Sequence, residues 1–431
     1  MTDSINERTA TETIAAIATG DTTAEEVTRA CLDRIETRDG AVKAWAFIDP
    51  ELALAQARSL DSLDSSDRKG PLHGLPIGIK DVLDTADMPT GMGSPIYKGY
   101  RPVADAASVA ILRAAGAIIL GKTVTCEFAG MHPGETTNPH DATRTPGGSS
   151  SGSAAAVADF HVHGALGTQT GGSVLRPASF CGIVGYKPTY NIINRAGLMF
   201  AAENLDTIGM MARSVGDVDV IAAAMLNRNM TTPLPAGAKP KIGLCRTQLW
   251  SAAQPETVEA VEDSAERLIA AGAEIVPIEM PESFATLSEM RNRINDFERS
   301  RVLSHHWREN REKLSDHLAG QVENGTAMPY GDYREAILLA SESRQHVDTV
   351  FGEIDAILAP AVAGEAPEGL AKTGDARFQG YWTILHVPTI TLPTHKGPNG
   401  MPVGIQLIGP RWQDELLLSV AGWAENVLIG E

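Results

Sequence analysis

Glycine is concentrated in one short stretch of this 431-residue chain. Residues 147–186 contain nine of the 41 glycines, more than twice the density of the whole chain. Most of the nine lie in two segments, residues 147–153 (GGSSSGS) and residues 167–173 (GTQTGGS). Glycine permits positive φ angles and close backbone approach, but it loses more conformational freedom on folding than any other residue. The two segments therefore constrain the fold more than any other feature of the sequence.

Three common explanations of such segments fit poorly. A flexible linker lacks apolar and β-branched residues, yet these flank both segments. A nucleotide-phosphate loop needs Gly-Lys-Ser/Thr, and no lysine follows any of these glycines. Residues 148–152 match G-x-S-x-G, the nucleophile turn of α/β-hydrolases, but that turn follows an apolar strand. Here residues 138–146 are polar and contain proline, so this class is also disfavoured.

Acyl-transfer catalysis accounts for both segments. Residues 170–173 (TGGS) place two residues without side chains directly before a hydroxyl. Backbone N–H groups in such a turn can converge on one point, as an oxyanion hole requires beside its nucleophile. A nucleophilic serine also needs a base that accepts its proton. The sequence therefore predicts an active site at this serine, Ser173.

Hydrophobic periodicity predicts an α/β protein. The apolar, β-branched run at 75–79 predicts a buried strand that delivers Lys80 at its end. Strands that alternate with helices indicate a parallel or mixed sheet with helices on its faces. The other predicted strands are 117–120, 241–245, 273–277, 356–359, 389–392 and 403–408, and the predicted helices include 12–19, 105–116, 257–271 and 414–427.

No repeat, low-complexity tract or linker divides the sequence, so we expect one domain over residues 1–431. The part from 281 to 350 is charged and helix-forming, and it is expected to be a helical excursion from that domain. Residues 356–431 are expected to add the C-terminal strands and helix. Residues 22–25 (TTAE) fit a capping box at the start of the second helix.

The composition argues against several classes of protein. The 36 Lys+Arg and 54 Asp+Glu give a formal net charge of −18, which disfavours general binding to nucleic acids or anionic membranes. Four cysteines without a CxxC pair are too few for a disulfide scaffold or a structural zinc site. No apolar run reaches the roughly 18 residues of a membrane helix, and the first 15 residues do not resemble a signal peptide. We therefore expect a cytoplasmic protein without nucleic-acid or membrane partners.

The two glycine segments are part of a series of motifs that resembles the amidase signature family, the Ser–cis-Ser–Lys amidohydrolases. The resemblance is dense over about residues 70–215 and looser elsewhere. It implies the family's fold, a central mixed β-sheet flanked by helices on both faces, and amide hydrolysis without a cofactor or metal. The motifs are GIKD at 78–81, GKT at 121–123, EFA at 127–129, PGGSSSGS at 146–153, GTQTGGS at 167–173, RPA at 176–178, FCG at 180–182 and KPT at 187–189.

The resemblance also implies a catalytic triad. Position by position, Ser173 is the nucleophile, Ser149 is the bridging serine on a cis peptide bond with Gly148, and Lys80 is the base. Among the neighbouring serines, Ser150 is expected to touch the hydrogen-bond network. Thr168 and Gln169 are expected to hold the nucleophile loop. The oxyanion hole is implied to consist of the backbone N–H groups of Thr170, Gly171 and Gly172.

A lysine base has to be uncharged. The usual lysine pKa is about 10.4, so neutrality at pH 7 requires a lowering by about 3 units, which burial can supply. The apolar residues around Lys80 fit such a position. Asp81 would oppose the shift if it faced Lys80, but neighbouring residues on a strand point to opposite faces.

Arg176 makes the nucleophile segment resemble the malonamidase-type branch. In that branch this arginine binds the free carboxylate of small monoamides of dicarboxylic acids, and a guanidinium suits a carboxylate because it donates two parallel hydrogen bonds. The predicted substrate is a small carboxylate-bearing amide such as malonamate, with Tyr330 and Trp382 as candidate pocket walls. An ion pair between Arg176 and a structural acid is the alternative.

Other substrates stay open. Carbamoyl compounds and ureides, of the biuret or allophanate kind, are also small and anionic. A tRNA-dependent amidotransferase subunit fits less well, because its usual motif has Asp where this chain has Gln169 and places arginine one residue earlier. The expected reactants are a small amide and water, and homodimerisation, common among relatives, stays open.

Two further classes compete with the amidase interpretation. A metal hydrolase would use His161 and His163, which form an H-x-H pair, but no acidic partner lies at helical spacing and a surface turn explains the pair as well. A non-catalytic homologue would be expected to lack a member of the triad, and all three are present.

Overall fold

A computed structural model describes residues 4–64, 70–228, 234–235 and 237–430. Within these ranges, eleven strands join in one sheet. The strands are β1 (Trp45–Ile48), β2 (Pro76–Lys80), β3 (Ile118–Thr123), β4 (Gly164–Gln169), β5 (Val184–Lys187), β6 (Thr207–Ala212), β7 (Lys241–Leu244), β8 (Glu274–Pro277), β9 (Ala356–Pro360), β10 (Thr389–Lys396) and β11 (Pro402–Ile408). Their order across the sheet is β1-β3-β2-β4-β6-β5-β10-β11-β9-β7-β8.

The sheet is mixed, as predicted. β2 runs parallel to β3 and β4, and β7 runs parallel to β8 and β9. The other neighbours are antiparallel, among them β4 with β6 and β10 with β11. The apolar runs predicted as strands correspond to β2, β3 and β7 to β11. The sequence pattern does not indicate β1, which is only four residues long. It also does not indicate β4, β5 and β6, because glycines and buried polar residues interrupt their apolar runs.

Helices flank the sheet on both faces. α5, α6 and α7 pack on the strands around β4 to β6, while α8 and α14 pack on β10 and β11. No described helix combines the length and the apolar character needed to cross a membrane. The helices are α1 (Ala10–Thr19), α2 (Ala24–Val42), α3 (Pro50–Asp61), α4 (Ala107–Ala114), α5 (Ser151–Ala158), α6 (Leu175–Cys181), α7 (Val215–Leu226), α8 (Pro255–Ala270), α9 (Leu287–Val302), α10 (Ser304–Glu309), α11 (Asp316–Ala327), α12 (Tyr330–Phe351), α13 (Arg377–Ile384) and α14 (Asp414–Leu428).

The predicted helical excursion corresponds to α9 through α12. α9 packs against α11 and α12 of the excursion and against α13, so it connects the rest of the excursion to the body of the protein. This arrangement brings one side of α9 next to the glycine segment at 167–173. The linear sequence does not indicate this contact.

The capping box of α2 is one residue later than predicted. Thr23, not Thr22, is the N-cap, and its side chain accepts a hydrogen bond from the backbone N–H of Glu26. The Glu26 carboxylate accepts from the Thr23 N–H in return. The helix therefore begins at Ala24, which places Val27 and Cys31 in the core.

Three parallel strands position the candidate site. β2, β3 and β4 point the same way, so their carboxyl ends lie at one edge of the sheet. Lys80 is the last residue of β2, and residues 170–173 directly follow β4. Ligand sites are common at such edges.

Candidate active site

Lys80 lies fully buried at the end of β2 and contacts one of the predicted serines. Its Nζ donates to Ser149 Oγ at 2.8 Å, to Thr168 Oγ1 at 2.8 Å and to the Thr168 carbonyl at 3.3 Å. Burial lowers the pKa of Lys80 to about 7. This pKa is the balance of burial, the largest cause, with Cys126 and Asp206, which raise it, and the guanidinium of Arg299, which lowers it. A substantial fraction of this lysine is therefore uncharged at neutral pH.

Asp81 points away from Lys80, as the strand geometry predicts. Its carboxylate forms an ion pair with Lys122 of β3 at 3.1 Å and accepts a hydrogen bond from the Gly91 N–H. Lys122 also donates to Thr90 Oγ1 at 2.6 Å. Because the charge of Asp81 is matched by Lys122, it adds little to the proton affinity of Lys80.

A backbone hydrogen bond joins the two serine segments. The Gly148–Ser149 peptide bond is cis, as the family resemblance implies. The next residue, Ser150, donates its N–H to the Ser173 carbonyl at 3.3 Å, and the Ser149 carbonyl accepts from the Cys126 N–H at 3.1 Å. The bond between Ser150 and Ser173 brings together the two segments that lead into α5 and α6.

The predicted contact of Ser150 with the network is confirmed. Its hydroxyl is 3.3 Å from both the N–H and the carbonyl oxygen of Thr168. Thr168 in turn holds Lys80 through its side chain. The lysine, the bridging serine and the strand below them thus form one connected network.

Gln169 holds the nucleophile loop, also as predicted. Its Oε1 accepts the backbone N–H groups of Val174 and Leu175, at 2.9 and 3.1 Å, and so caps the first turn of α6. Its Nε2 donates to Thr383 Oγ1, and that hydroxyl donates to the Gly171 carbonyl at 2.6 Å. A glutamine at this position therefore fixes both ends of the loop.

The loop offers unused backbone donors. Within the described part of the chain, no hydrogen-bond acceptor takes the N–H groups of Gly171, Gly172 or Ser173. The Thr170 hydroxyl donates to the buried carboxylate of Asp206, which also accepts the N–H groups of residues 201 and 202. Asp206 therefore anchors the loop through Thr170, and the N–H groups of the following residues stay free of described acceptors on the side of the loop that lines the cavity.

A cavity of about 340 Å³ opens above the loop. Ser173 lines it together with the three predicted oxyanion-hole residues and Arg176. Two more arginines line it, Arg291 and Arg299 from α9, and the other polar side chains of the wall are Asn292, Asn295, His317, Gln321 and Asp375. The Asp375 carboxylate is paired with Arg377, so the cavity carries an excess of positive charge.

Arg176 lines the cavity, but protein oxygens occupy its terminal nitrogens. Nη2 donates to the Gly148 carbonyl at 2.6 Å and to Thr373 Oγ1 at 3.0 Å, and Nη1 donates to the Gly374 carbonyl at 3.0 Å. The side chain is fully buried, and burial lowers its pKa to about 10, which leaves it charged at neutral pH. The alternative of an ion pair with a structural acid is not what the described residues show.

The structure does not bring Trp382 or Tyr330 to the cavity. Trp382 is fully buried in the core beside Tyr381. α13 turns Gln379 and Thr383 toward the loop, and a residue at 382 points about 60° away from the first and about 100° away from the second. Tyr330 begins α12, is 69% exposed and contacts Phe297. Both predictions of a pocket wall are therefore corrected.

The H-x-H pair is buried, and the surface turn considered from the sequence is wrong. His161 contacts Asp159 at 3.0 Å and accepts a hydrogen bond from the Trp45 indole N–H at 3.2 Å. His163 contacts Thr13 at 3.0 Å. Among the described residues, no group of three or more His, Cys, Asp or Glu side chains is arranged to hold a metal ion.

Sequence reasoning missed Arg291, Arg299 and Asp206. The two arginines lie on α9, more than 110 residues from Ser173 in the chain. No feature of the sequence distinguishes them from Arg293 on the same helix, which pairs at the surface with Glu289. Only the packing of α9 against the body of the protein separates the two kinds of arginine.

Comparison with known proteins agrees with this geometry. The Amidase family model matches residues 26–418. A curated relative from Oleidesulfovibrio alaskensis, one of the subunits of its glutamyl-tRNA(Gln) amidotransferase, is 35% identical over 96% of each chain. The relatives found in this way do not single out the malonamidase-type branch.

Solved structures agree as well. A crystal structure of an amidase superposes with a TM-score of 0.90 at 30% identity, covering 98% of this chain and 100% of the other. A protein from a vestigial complex that bears on the origins of an s-triazine catabolic enzyme gives a TM-score of 0.89 at 28% identity, covering 97% and 98%. The chain therefore belongs to the amidase signature family and is an enzyme that acts on amide C–N bonds.

Proposed function

We propose that this enzyme hydrolyses a small amide that carries an anionic group, through an acyl-enzyme on Ser173. One observation carries the proposal: Ser173 and its glycine loop open into a cavity of about 340 Å³ whose wall holds three arginines and one surface-paired carboxylate. Within the described residues, none of the three arginines forms an ion pair. A small, positively charged cavity suits a small anionic substrate such as malonamate.

In the proposed mechanism, Lys80 starts the reaction in its neutral form. Ser173 gives its proton to Ser149 as Ser149 gives its own to Lys80 Nζ, and the Ser173 oxygen attacks the amide carbon. The C–N bond breaks, the proton returns through Ser149 to the nitrogen, and ammonia leaves with an ester on Ser173. Water then attacks the ester with the same relay, which releases the carboxylic acid and restores the serine.

The proposed oxyanion hole consists of backbone N–H groups in the Thr170–Ser173 loop. The unused donors at Gly171, Gly172 and Ser173 support this role, because donors that are already oriented stabilise a developing negative charge without reorganisation. The fixed position of the loop, held by Gln169 from one side and Asp206 through Thr170 from the other, supports it further.

Two other substrate classes have specific support. Carbamoyl and ureide compounds are the first class, and the similarity to a protein from a complex that bears on the origins of an s-triazine catabolic enzyme supports a small nitrogen-rich substrate. L-Glutamine is the second class: the similarity to the glutamyl-tRNA(Gln) amidotransferase of O. alaskensis supports an amide as nitrogen donor, although Gln169 and the arginine register differ from the usual motif of such enzymes. Both classes present a carbonyl–nitrogen bond together with a polar or charged group, so they belong in the same assay panel.

Ammonia release from malonamate, malonamide, biuret, L-glutamine and an aryl amide tests this proposal. We expect Ser173→Ala and Lys80→Ala each to lower kcat/KM at least about 10³-fold, because each removes a group used in both chemical steps. Ser151→Ala is the matched control, since this serine of the same run donates to the Val124 carbonyl instead and should retain activity.

Circular dichroism and thermal unfolding should show that the variants are folded. Wild-type-like turnover by Ser173→Ala or Lys80→Ala would contradict the mechanism. If EDTA also abolished the wild-type activity, the metal-hydrolase alternative would be favoured instead.

A further inference from the structure

Arg176 has little free hydrogen-bonding capacity for a substrate. Its three hydrogen bonds go to Gly148, Thr373 and Gly374, which tie the segment before Ser149 to the loop that precedes α13. Of its nitrogens, only Nε has no partner among the described residues. The free N–H groups, one on Nε and one on Nη1, are not adjacent: every edge by which a guanidinium donates two parallel hydrogen bonds to a carboxylate includes Nη2, and both N–H groups of Nη2 are taken.

Arg291, unlike Arg176, keeps most of its hydrogen-bonding capacity. Its guanidinium lies between two glycines: a Cβ atom on Gly171 would be 2.9 Å from its Nη1, and one on Gly380 would be 2.9 Å from its Nε. Its side-chain hydrogen bond within the described residues goes to the neighbouring Asn292, at 2.6 Å. The positive charge is therefore placed directly against the nucleophile loop. Asp296 and Asp375 are near enough to interact with it electrostatically, but within the described residues neither forms an ion pair with it.

Arg299 is a second, more deeply placed charge on the same helix. It is 2% exposed, its Nη1 donates to the Phe128 carbonyl at 3.0 Å, and its Nε has no partner among the described residues. Eight residues separate it from Arg291, about 12 Å along the axis of α9, and both side chains line the same cavity. Two guanidinium groups from α9 thus line the same cavity as Ser173.

We propose that Arg291 binds the free carboxylate of the substrate, that Arg299 completes this anion subsite, and that Arg176 is a positioning residue. This inference rests on the proposed function, because it assumes a carboxylate-bearing amide. Gly171 is two residues from Ser173, and two residues span at most about 7 Å, so the subsite suits an acyl group of only a few carbons. Monoamides of short dicarboxylic acids have this size and charge.

Malonamate and malonamide provide the test, because they differ only in the carboxylate. In Arg291→Met we expect kcat/KM for malonamate to fall about 100-fold, mainly through a higher KM, while malonamide changes less than about 3-fold. Arg293→Met on the same helix is the matched control and should leave both values unchanged, since Arg293 pairs with Glu289 and Glu335 at the surface.

Equal losses on the two substrates would overturn the inference, as would a selective loss of malonamate turnover in Arg176→Met alone. Calorimetry of malonate binding to protein that carries Ser173→Ala gives a readout without turnover. Adding Arg291→Met should weaken the affinity for malonate at least about 10-fold, and adding Arg293→Met should leave it unchanged. An unchanged malonate affinity in Arg291→Met overturns the anion subsite and leaves the serine chemistry standing. Full turnover by Ser173→Ala alone would instead overturn the proposed function.

Discussion

At the scale of single residues, the environment of Lys80 is the main physical result. A lysine acts as a base only when it is neutral, and here complete burial lowers its pKa to about 7. The neighbouring Asp81 is turned to Lys122, so it does not restore the charge on Lys80. Three hydrogen bonds to Ser149 and Thr168 fix the amine in place without a full counter-charge.

The pH dependence of kcat/KM follows from this environment. Because neutral Lys80 is the proposed base, activity should rise as pH increases through about 7 and level off above about 8. An unperturbed lysine would shift that rise toward pH 10. Malonamide is the substrate of choice for the profile between pH 5.5 and 10, since it carries no ionisable group in this range.

A profile that stays flat from pH 6 to pH 9, or that rises only near pH 10, would contradict a neutral Lys80. The Arg293→Met variant provides the control profile, because its surface position should leave the midpoint unchanged.

At the scale of elements, the site depends on how closely α9 and α13 approach the nucleophile loop. Glycines permit the contact: Gly380 of α13 and Gly171 of the loop leave room for the Arg291 side chain between them. Gly172 similarly accommodates Gln379, whose Oε1 would be 2.7 Å from an added Cβ. The glycines near Ser173 therefore serve packing as well as the presentation of backbone donors.

Substitution of Gly380 by alanine tests whether this glycine is needed for the packing of Arg291. An alanine Cβ would lie 2.9 Å from Arg291 Nε, so the guanidinium should be displaced and kcat/KM for malonamate should fall about 10-fold. Stability should not fall, because alanine in a helix interior is favoured over glycine by roughly 1 kcal/mol and the arginine side chain can move.

Kinetics and urea unfolding of Gly380→Ala provide both measurements. Gly331→Ala is the matched control, since this helical glycine in α12 has open space around its Cα and should change stability without changing activity. A strong loss of stability, or unchanged malonamate kinetics, in Gly380→Ala would contradict the described packing of Arg291.

At the scale of the whole molecule, all eleven described strands belong to one sheet. The N-terminal strand β1 and the late strands β9 to β11 belong to the same sheet as β2 and β4, which carry the site. We therefore propose that residues 1–431 form one amidase domain. The sheet also buries charged residues far from the cavity, such as Lys187 in β5, whose Nζ donates to the carbonyls of Pro188 and Val387.

Lys187 should make stability depend on pH. Burial lowers its pKa to about 7, whereas an unfolded chain keeps the usual value of about 10.4. Between these values the unfolded state binds more protons, so this residue contributes a free energy of unfolding that rises with pH above 7, by up to about 1.4 kcal/mol per pH unit. Below pH 7 both states are protonated, and the cost of burying the charge is fully present.

Urea unfolding of wild type and Lys187→Met at pH 7.0, 7.5, 8.0 and 8.5 measures this contribution. The free energy of unfolding of the wild type minus that of Lys187→Met should increase as pH rises. Lys98→Met, a substitution at an exposed position, is the control. A difference that stays constant across the series would show that Lys187 keeps its usual pKa in the folded state.

The sequence alone was sufficient for the features that depend on short segments. The residues around Lys80, Ser149 and Ser173 lie in compact motifs, whose resemblance to the amidase signature implies the contact between Lys80 and Ser149. Lys80 ends β2 and Ser173 follows β4, and these two strands are adjacent in the sheet. The mixed sheet and most of its outer strands also follow, because alternation of apolar runs with helical periodicity is a local property.

Only the tertiary structure decided what surrounds the nucleophile. Arg291 and Arg299 reach the cavity because α9 packs beside the loop, whereas Trp382 and Tyr330 do not, because the rotation of α13 and the start of α12 direct them elsewhere. Periodicity shows that a helix has two faces, but not which neighbour each face meets. The walls of this cavity are built from contacts between segments more than 100 residues apart, and such contacts are set by packing rather than by local sequence.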